Sequence, residues 1–364
     1  MHFGLFNLMT QRERQQSPRQ LYADMTEHVK MAEQIGFEIA WFAEHHFSNY
    51  CLCPSPLAMA NYLAPQTKKI RLGPAVIVAP LYQPLRMLED LAVLDNLSDG
   101  RLVIGLGSGY QQYEFHKFGV DLKASRDIFL ESLDVVERYL AGDPLQYEGK
   151  HIHIPETYFS VRPLQPKPDI YIAGLAADPV TQERIARKGY TPFFTTGWST
   201  LEQIKENRDK VAAVHTKVGG DPARVPFAIQ QYIFVTDSRD ESMQAADGAR
   251  YIRRIAMSMR HNLAKLEGAF LREQPTPGEP PIEQLVDLMM IGDAETVAEK
   301  LIREFEALQP THLSCFMALP GVPQARTLRS MERFGAEVMP RIAKHFGGLD
   351  RIGTPALRAA AAAN

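Results

Sequence analysis

Short runs of β-branched and aromatic residues alternate along the chain with longer segments whose apolar side chains recur every three to four positions. The first run, residues 2–6, predicts a strand. Residues 19–35 set Leu21, Met25, Val29 and Ala32 on one face and predict a helix. Further strands are predicted over 38–42, 70–78, 101–106, 169–173, 191–195, 227–235 and 311–317. Helices are predicted over 56–66, 85–97, 125–140 (with Ser125 as its cap), 180–188, 201–218 and 325–345.

Eight strand–helix alternations require parallel pairing through right-handed crossovers. Closing eight such units gives a (β/α)8 TIM barrel of about this length; an open doubly wound sheet is the competing arrangement. Two segments exceed the minimal barrel. Residues 151–168, rich in Pro and β-formers, form a short β excursion after the fourth helix. Residues 237–287 are an insertion after the seventh strand, with a helix-like run and then the proline-rich stretch 274–281. Long insertions at this place are often lids or subunit contacts, although a solvated loop is the plainer reading of the proline-rich part. The expected organisation is one domain over 1–346 and a frayed tail over 347–364, ending in a run of alanines.

Composition narrows the function class. Apolar residues make up 45% and charged residues 23%, enough for a large core without disulfides or metal clips. The net charge of −3 argues against nucleic-acid binding, which favours a basic excess. Three cysteines, Cys51, Cys53 and Cys315, make no disulfide framework and suit a reducing compartment. The uncharged apolar stretch over 72–82 is too short to span a bilayer, and residues 1–10 lack a signal-type pattern. A cytoplasmic protein that engages neither membrane nor nucleic acid is expected.

In a barrel, chemistry gathers where strands end, so each predicted strand end is a test. Glu44-His45-His46-Phe47 follows the second strand. Adjacent residues of an extended segment point opposite ways, so only one imidazole can face the mouth; there it titrates near neutral pH and suits proton transfer. Zinc held by these histidines with Cys51 and Cys53 lacks the usual paired spacing, and no metal is expected. Gly105, Gly107 and Gly109 follow the fourth strand. They spell G-x-G-x-G and not the dinucleotide fingerprint. Small residues there let backbone approach a flat ligand or a phosphate; a structural turn is the alternative. No helix is evident at that turn. Residues 176–181 open the fifth helix, where free N–H groups favour an anion and Thr181 adds a hydroxyl. Asp178 is then either part of that site or, because it would repel phosphate, an N-cap turned away. Arg126 is a candidate phosphate cation or an ordinary surface arginine. Phe6, Met317 and Trp198 are candidates for excluding water from the mouth.

These residues carry a resemblance. Trp41 to Phe47, with Glu44-His45-His46-Phe47 at its end, and Leu97-Ser98-Asp99-Gly100-Arg101 resemble bacterial luciferase and the flavin-dependent monooxygenases built like it. So do the opening Met1 to Phe6, the stretch Gly73 to Pro80 followed by Gln83-Pro84-Leu85-Arg86, and Gly292 to Val297. The similarity runs over residues 1–346. It implies a barrel that binds reduced FMN, supplied by a separate flavin reductase. Oxygen adds at the flavin C4a position, and the resulting hydroperoxide oxygenates a small apolar organic substrate. His45 matches the catalytic histidine. The Ala75–Val76 bond matches a non-proline cis peptide lying against the flavin ring. Gly107, Ser108, Gly109, Arg126, Ala177, Asp178 and Thr181 lie where the family holds the cofactor, with Trp198 near the ring. The insertion matches a mobile lid, and a homodimer is the family expectation. Where luciferase has a reactive cysteine and an arginine, this chain has Gly107 and Ser108, so light emission and a long-chain aldehyde substrate are not supported. Asp178 stands where many relatives carry Ser. Two other readings use the same fold: a deazaflavin (F420)-dependent oxidoreductase, and a non-catalytic flavin-binding subunit.

Overall fold

A computed structural model describes residues 1–173, 178–221, 225–261 and 265–353. Among these, the barrel wall is built from the strands His2–Asn7, Ile39–Phe42, Arg71–Pro74 with Ile77–Val78, Ile104–Gly107, Ile170–Ala173, Thr191–Thr195, Ala228–Val235 and His312–Phe316. All pair in parallel. The order runs from Arg71–Pro74 back through the first strand to the eighth, then down to the fourth, which meets Ile77–Val78. A bridge from Leu72 to Leu102 closes the ring. The two short segments are therefore halves of one third strand, and the circular order is that of a (β/α)8 barrel, not of an open doubly wound sheet. The predicted single run over 70–78 is broken where the Ala75–Val76 peptide is cis.

Helices cover the outside in the expected places, but two local expectations fail, and one alternative is set aside. Helix Ser125–Ala141 is not capped by Ser125; its N-cap is Ala124, preceded by a turn in which Asp121 accepts from the Lys123 N–H. A seven-residue helix, Gln112–Phe118, begins three residues beyond Gly109, where none was expected, and ends on left-handed Gly119. The proline-rich stretch is not a free loop: Arg254 forms ion pairs with Glu273 and Glu279 and draws it onto the insertion. That insertion is mainly one long helix, Arg239–Arg260, capped by Ser238 and followed by the hairpin Leu266–Glu267/Phe270–Leu271 and helix Ile282–Leu288. Met290–Gly292 then returns to pair with the end of the seventh strand. The β excursion is a hairpin, Leu145–Glu148 with His153–Thr157. Glu131 of helix Ser125–Ala141 fastens it by accepting from the N–H groups of Lys150, His151 and Ile152. No helix of the described residues is long and apolar enough to cross a membrane.

The lower half of the lumen is solid. Trp41, Tyr171, Phe193 and His312 pack edge to face across it. Room for Trp41 and His312 comes from Gly4 and Gly73, and Gly105 lets the fourth strand approach the third. A Cβ on Gly4 would sit 2.9 Å from the Trp41 indole nitrogen, and one on Gly105 would sit 2.1 Å from the Pro74 carbonyl oxygen. Large and small residues thus alternate around the ring, as a filled barrel requires.

Candidate active site

Above this plug the same strands open into a cavity of roughly 310 Å³ at their carboxyl ends. Phe6, Tyr50, Phe193, Tyr232 and Phe316 supply much of its wall, and helix Arg239–Arg260 roofs it with Ile252, Arg253, Ala256, Met257 and Arg260. Phe316 takes the part expected of Met317. The eighth strand ends at Phe316, which faces Tyr232 with ring centroids 5.2 Å apart; the next residue turns away into the core.

His45 lines the cavity. Its Nδ1 lies 3.0 Å from Glu114 Oε1, the same oxygen that accepts from the His46 backbone N–H at 2.8 Å. A carboxylate only accepts, so Nδ1 carries the proton of this contact, and among the described residues Nε2 makes no hydrogen bond. Tyr50 and Tyr110 flank the ring at 4.7 and 5.8 Å between centroids. His46 points the other way. Its Nε2 donates to Glu44 Oε1 at 2.9 Å, while Glu44 Oε2 accepts from the Val78 N–H and the Tyr82 hydroxyl, each at 3.0 Å. Burial pushes the Glu44 carboxyl above the usual range against these hydrogen bonds. His46 and Glu44 thereby fasten the second strand's end to the third strand beside the cis peptide.

The pattern defining the family described as luciferase-like monooxygenase matches residues 1–312. The chain belongs to the luciferase-like monooxygenase family. A Sinorhizobium fredii protein designated y4vJ is 35% identical over 350 residues, covering 95% of this chain and 99% of that one. The oxygenase component of flavin-dependent trigonelline monooxygenase from Acinetobacter baylyi is 27% identical over 348 residues, covering 93% and 95%. Among solved structures, the oxygenating constituent of 3,6-diketocamphane monooxygenase from Pseudomonas putida, in complex with FMN, superposes with a TM-score of 0.77 at 22% identity over 94% of this chain and 99% of that one. This luciferase-like chain is accordingly an enzyme, a flavin-dependent oxidoreductase, on a barrel shared with that protein.

The remaining expected residues of this luciferase-like site are distributed unevenly. Ala75, Val76, Gly107 and Gly109 line the cavity with His45. At both glycines the protein's own side chains already crowd the place of a Cβ. A Cβ on Gly107 would lie 2.6 Å from Val76 Cγ2, and one on Gly109, at φ +72°, would lie 2.5 Å from the Phe115 ring. The space is filled by the protein's own side chains, which favours the structural reading of the turn. Ser108 is buried, and its hydroxyl donates to the Gly109 carbonyl at 3.3 Å. Asp178 caps helix Pro179–Lys188, accepting at 2.8 Å from both the N–H and the hydroxyl of Thr181. Thr181 is fully buried, so its hydroxyl does not reach outward as expected. Arg126 is half-exposed and holds Asp178 through Nε at 2.6 Å and Nη2 at 3.2 Å. Burial alone would raise the Asp178 carboxyl, but Arg126 and Thr181 hold it below its usual range. Ala177 lies outside the described residues. Trp198 sits against the Arg253 guanidinium, 5.2 Å from ring centre to Cζ, next to the cavity-lining Gly197.

Sequence reasoning missed Glu114, Gln230, Arg253 and Arg260, and it placed Tyr110 after the fourth strand without a role. Glu114 is only 2% exposed, and its Oε1 accepts from both His45 Nδ1 and the His46 N–H. Gln230 Oε1 is buried at the cavity without a partner. Cys51 and Cys53 are buried, and burial pushes both thiols up, so neither is a poised thiolate. Among the described residues no three His, Cys, Asp or Glu side chains are grouped to hold a metal.

Proposed function

We propose that this chain is the oxygenase of a two-component system, taking reduced FMN from a separate flavin reductase and inserting one atom of O₂ into a small organic substrate. The observation that carries the reading is His45: a carboxylate fixes Nδ1–H, and Nε2 is left free at an aromatic-walled cavity. Support for a separate reductase comes from the lack of a nicotinamide-binding fingerprint in the sequence and from the naming of the trigonelline relative as an oxygenase component. The residues present fit a flavin. The cavity is of ligand size, and beside it Gln230 Oε1 and Trp198 Nε1 are buried polar atoms without partners, an acceptor and a donor suited to a polar heterocycle.

When bound, reduced FMN supplies the electrons with which one oxygen atom enters the substrate and the other leaves as water. The chain's own part is binding, shielding and proton handling. Ala75, Val76, Gly107 and Gly109 form the floor against which the ring system rests. Arg126, aimed by Asp178, and the Ser108 turn would hold the phosphate end, and Trp198 would flank the ring. Phe6, Phe193, Tyr232 and Phe316, with the insertion helix above, keep water out. His45 Nε2 accepts or returns the proton at the reacting oxygen, with Glu114 stabilising the ring when it is charged.

Titration with oxidised and reduced FMN, followed by turnover with reduced FMN under ¹⁸O₂, tests this. One ¹⁸O atom in the product is expected. Hydride transfer from reduced F420 with no oxygen incorporated would favour the deazaflavin reading, and stoichiometric flavin binding without turnover the non-catalytic one.

A further inference from the structure

We infer that the substrate is an organic carboxylate, read by Arg253 and Arg260 on the roof of the cavity. The inference rests on the oxygenase reading above and replaces the expectation of an apolar substrate.

Helix Arg239–Arg260 carries five arginines. Arg250 forms an ion pair with Asp247, and Arg254 with Glu273 and Glu279. Arg253 and Arg260 line the cavity instead. Seven residues apart, they sit on one face two turns from each other, with Ala256 and Met257 between them. Neither makes an ion pair or hydrogen bond among the described residues; each lies only against an aromatic ring, Trp198 for Arg253 and Tyr110 for Arg260 at 5.5 Å. Arg253 Nε is buried without a partner.

Among the described residues neither cation forms an ion pair with an acid of the cavity. Its two acids are Glu44 and Glu114. Glu44 is taken by His46, Val78 and Tyr82, and Glu114 by His45 and the His46 N–H. Arg253 is half-buried with Nε desolvated, which is costly unless an anion arrives with the ligand, while Arg260 stands exposed at the cavity's edge. A planar fork beside aromatic walls matches a carboxylate on an unsaturated or aromatic frame, held bidentately. The cofactor phosphate is the other anion that could meet these arginines. Arg126 lies outside the cavity and is paired with Asp178 and Asp127, so binding measured on the FMN-loaded chain separates the phosphate from the substrate.

Binding is read from Trp198 fluorescence. The chain has two tryptophans, and the other, Trp41, is sealed in the barrel core. Benzoate, phenylacetate and hexanoate are compared with benzamide, phenylacetamide and hexanamide, on the protein alone and loaded with FMN. The expected result is that at least one carboxylate binds about tenfold tighter than its amide. Arg253→Gln and Arg260→Gln should each erode that preference while FMN affinity stays within about twofold, and Arg253→Lys should keep part of it. Thermal melts confirm that each variant is folded. The inference is overturned if every carboxylate binds no better than its amide, if nothing in the panel binds, or if the variants lose FMN and keep the preference. The last outcome would assign the roof to the cofactor phosphate. Failure of the wild-type chain to bind FMN would sink the oxygenase reading instead, and the preference measured without FMN would still stand or fall separately.

Discussion

Two histidines face the inside of one barrel and are treated in opposite ways. At the bottom, His312 Nε2 accepts from the Trp41 indole N–H at 2.9 Å, its Nδ1 has no partner, and burial holds its pKa well below the usual value. It is a neutral packing element in a layer of aromatic rings. At the top, His45 gives its Nδ1–H to a carboxylate and keeps Nε2 free at a cavity. Both rings stand among aromatics, so the neighbourhood does not separate them. What separates them is the partner: an indole donor locks the acceptor lone pair of one, whereas Glu114 leaves that lone pair of the other available and stabilises its charged form. The barrel thus spends its lower layers on rigidity and its upper ones on chemistry.

The division is broken most severely from below. Trp41→Ala removes the largest plug side chain and its hydrogen bond to His312, and should cost about 3–5 kcal/mol in denaturant unfolding. A variant as stable as the parent would mean the lower lumen is not the structural half. His45→Ala should do the reverse, lowering turnover with reduced FMN by roughly 10²–10⁴-fold while stability changes by less than about 1 kcal/mol and flavin binding is nearly kept. Stopped-flow absorbance during reoxidation reads this; unchanged oxygen kinetics and product yield would remove His45 from the reaction. Glu114→Gln keeps an acceptor for both N–H groups and loses only the charge. Exchanging a charged for a neutral hydrogen bond predicts a loss of roughly tenfold in turnover with the fold intact, and a loss as deep as that of His45→Ala would show that Glu114 does more than hold the ring.

Much of the scaffold was legible because it is written in local periods. Helix Pro18–Gln34 and strand Thr191–Thr195 fall within one residue of the expectation. His45 was legible from its motif and its place at a strand end. What escaped depended on contacts between distant segments. Glu114 rides on a seven-residue helix, too short to show a period, and its meaning appears only when the fold brings it to His45, 69 residues away. Gly107 invites a ligand in sequence, but in space it makes room for Val76. Arg126 and Asp178, 52 residues apart, were read separately as a phosphate cation and a helix cap; the fold joins them into one ion pair. Met317 and Phe316 differ by one step of strand alternation, and apolarity alone does not fix that phase. Arg253 and Arg260 look like any helix arginines until their neighbours are seen to be paired and they are not.

The comparison extends to carboxylates and yields the mildest test. Glu114 is buried but meets two N–H donors. Glu304, on helix Ala294–Leu308 behind the seventh strand, is equally buried and meets one: its Oε2 accepts from Gln231 Nε2 at 2.6 Å, and Oε1 has no partner. Burial pushes its pKa from 4.5 up to about 8. Below the lower value both folded and unfolded chains hold the proton, and Glu304 is neutral at no cost. Between the two values the folded chain still holds a proton that the unfolded chain has released, so stability falls as pH rises through that window, and the loss is complete only above the folded pKa. Glu304→Gln keeps the shape and the amide contact and never ionises. Its melting temperature should therefore nearly match the parent's at about pH 5 and exceed it by a few degrees at about pH 8.5. A difference independent of pH would mean that Glu304 is ionised in the folded chain.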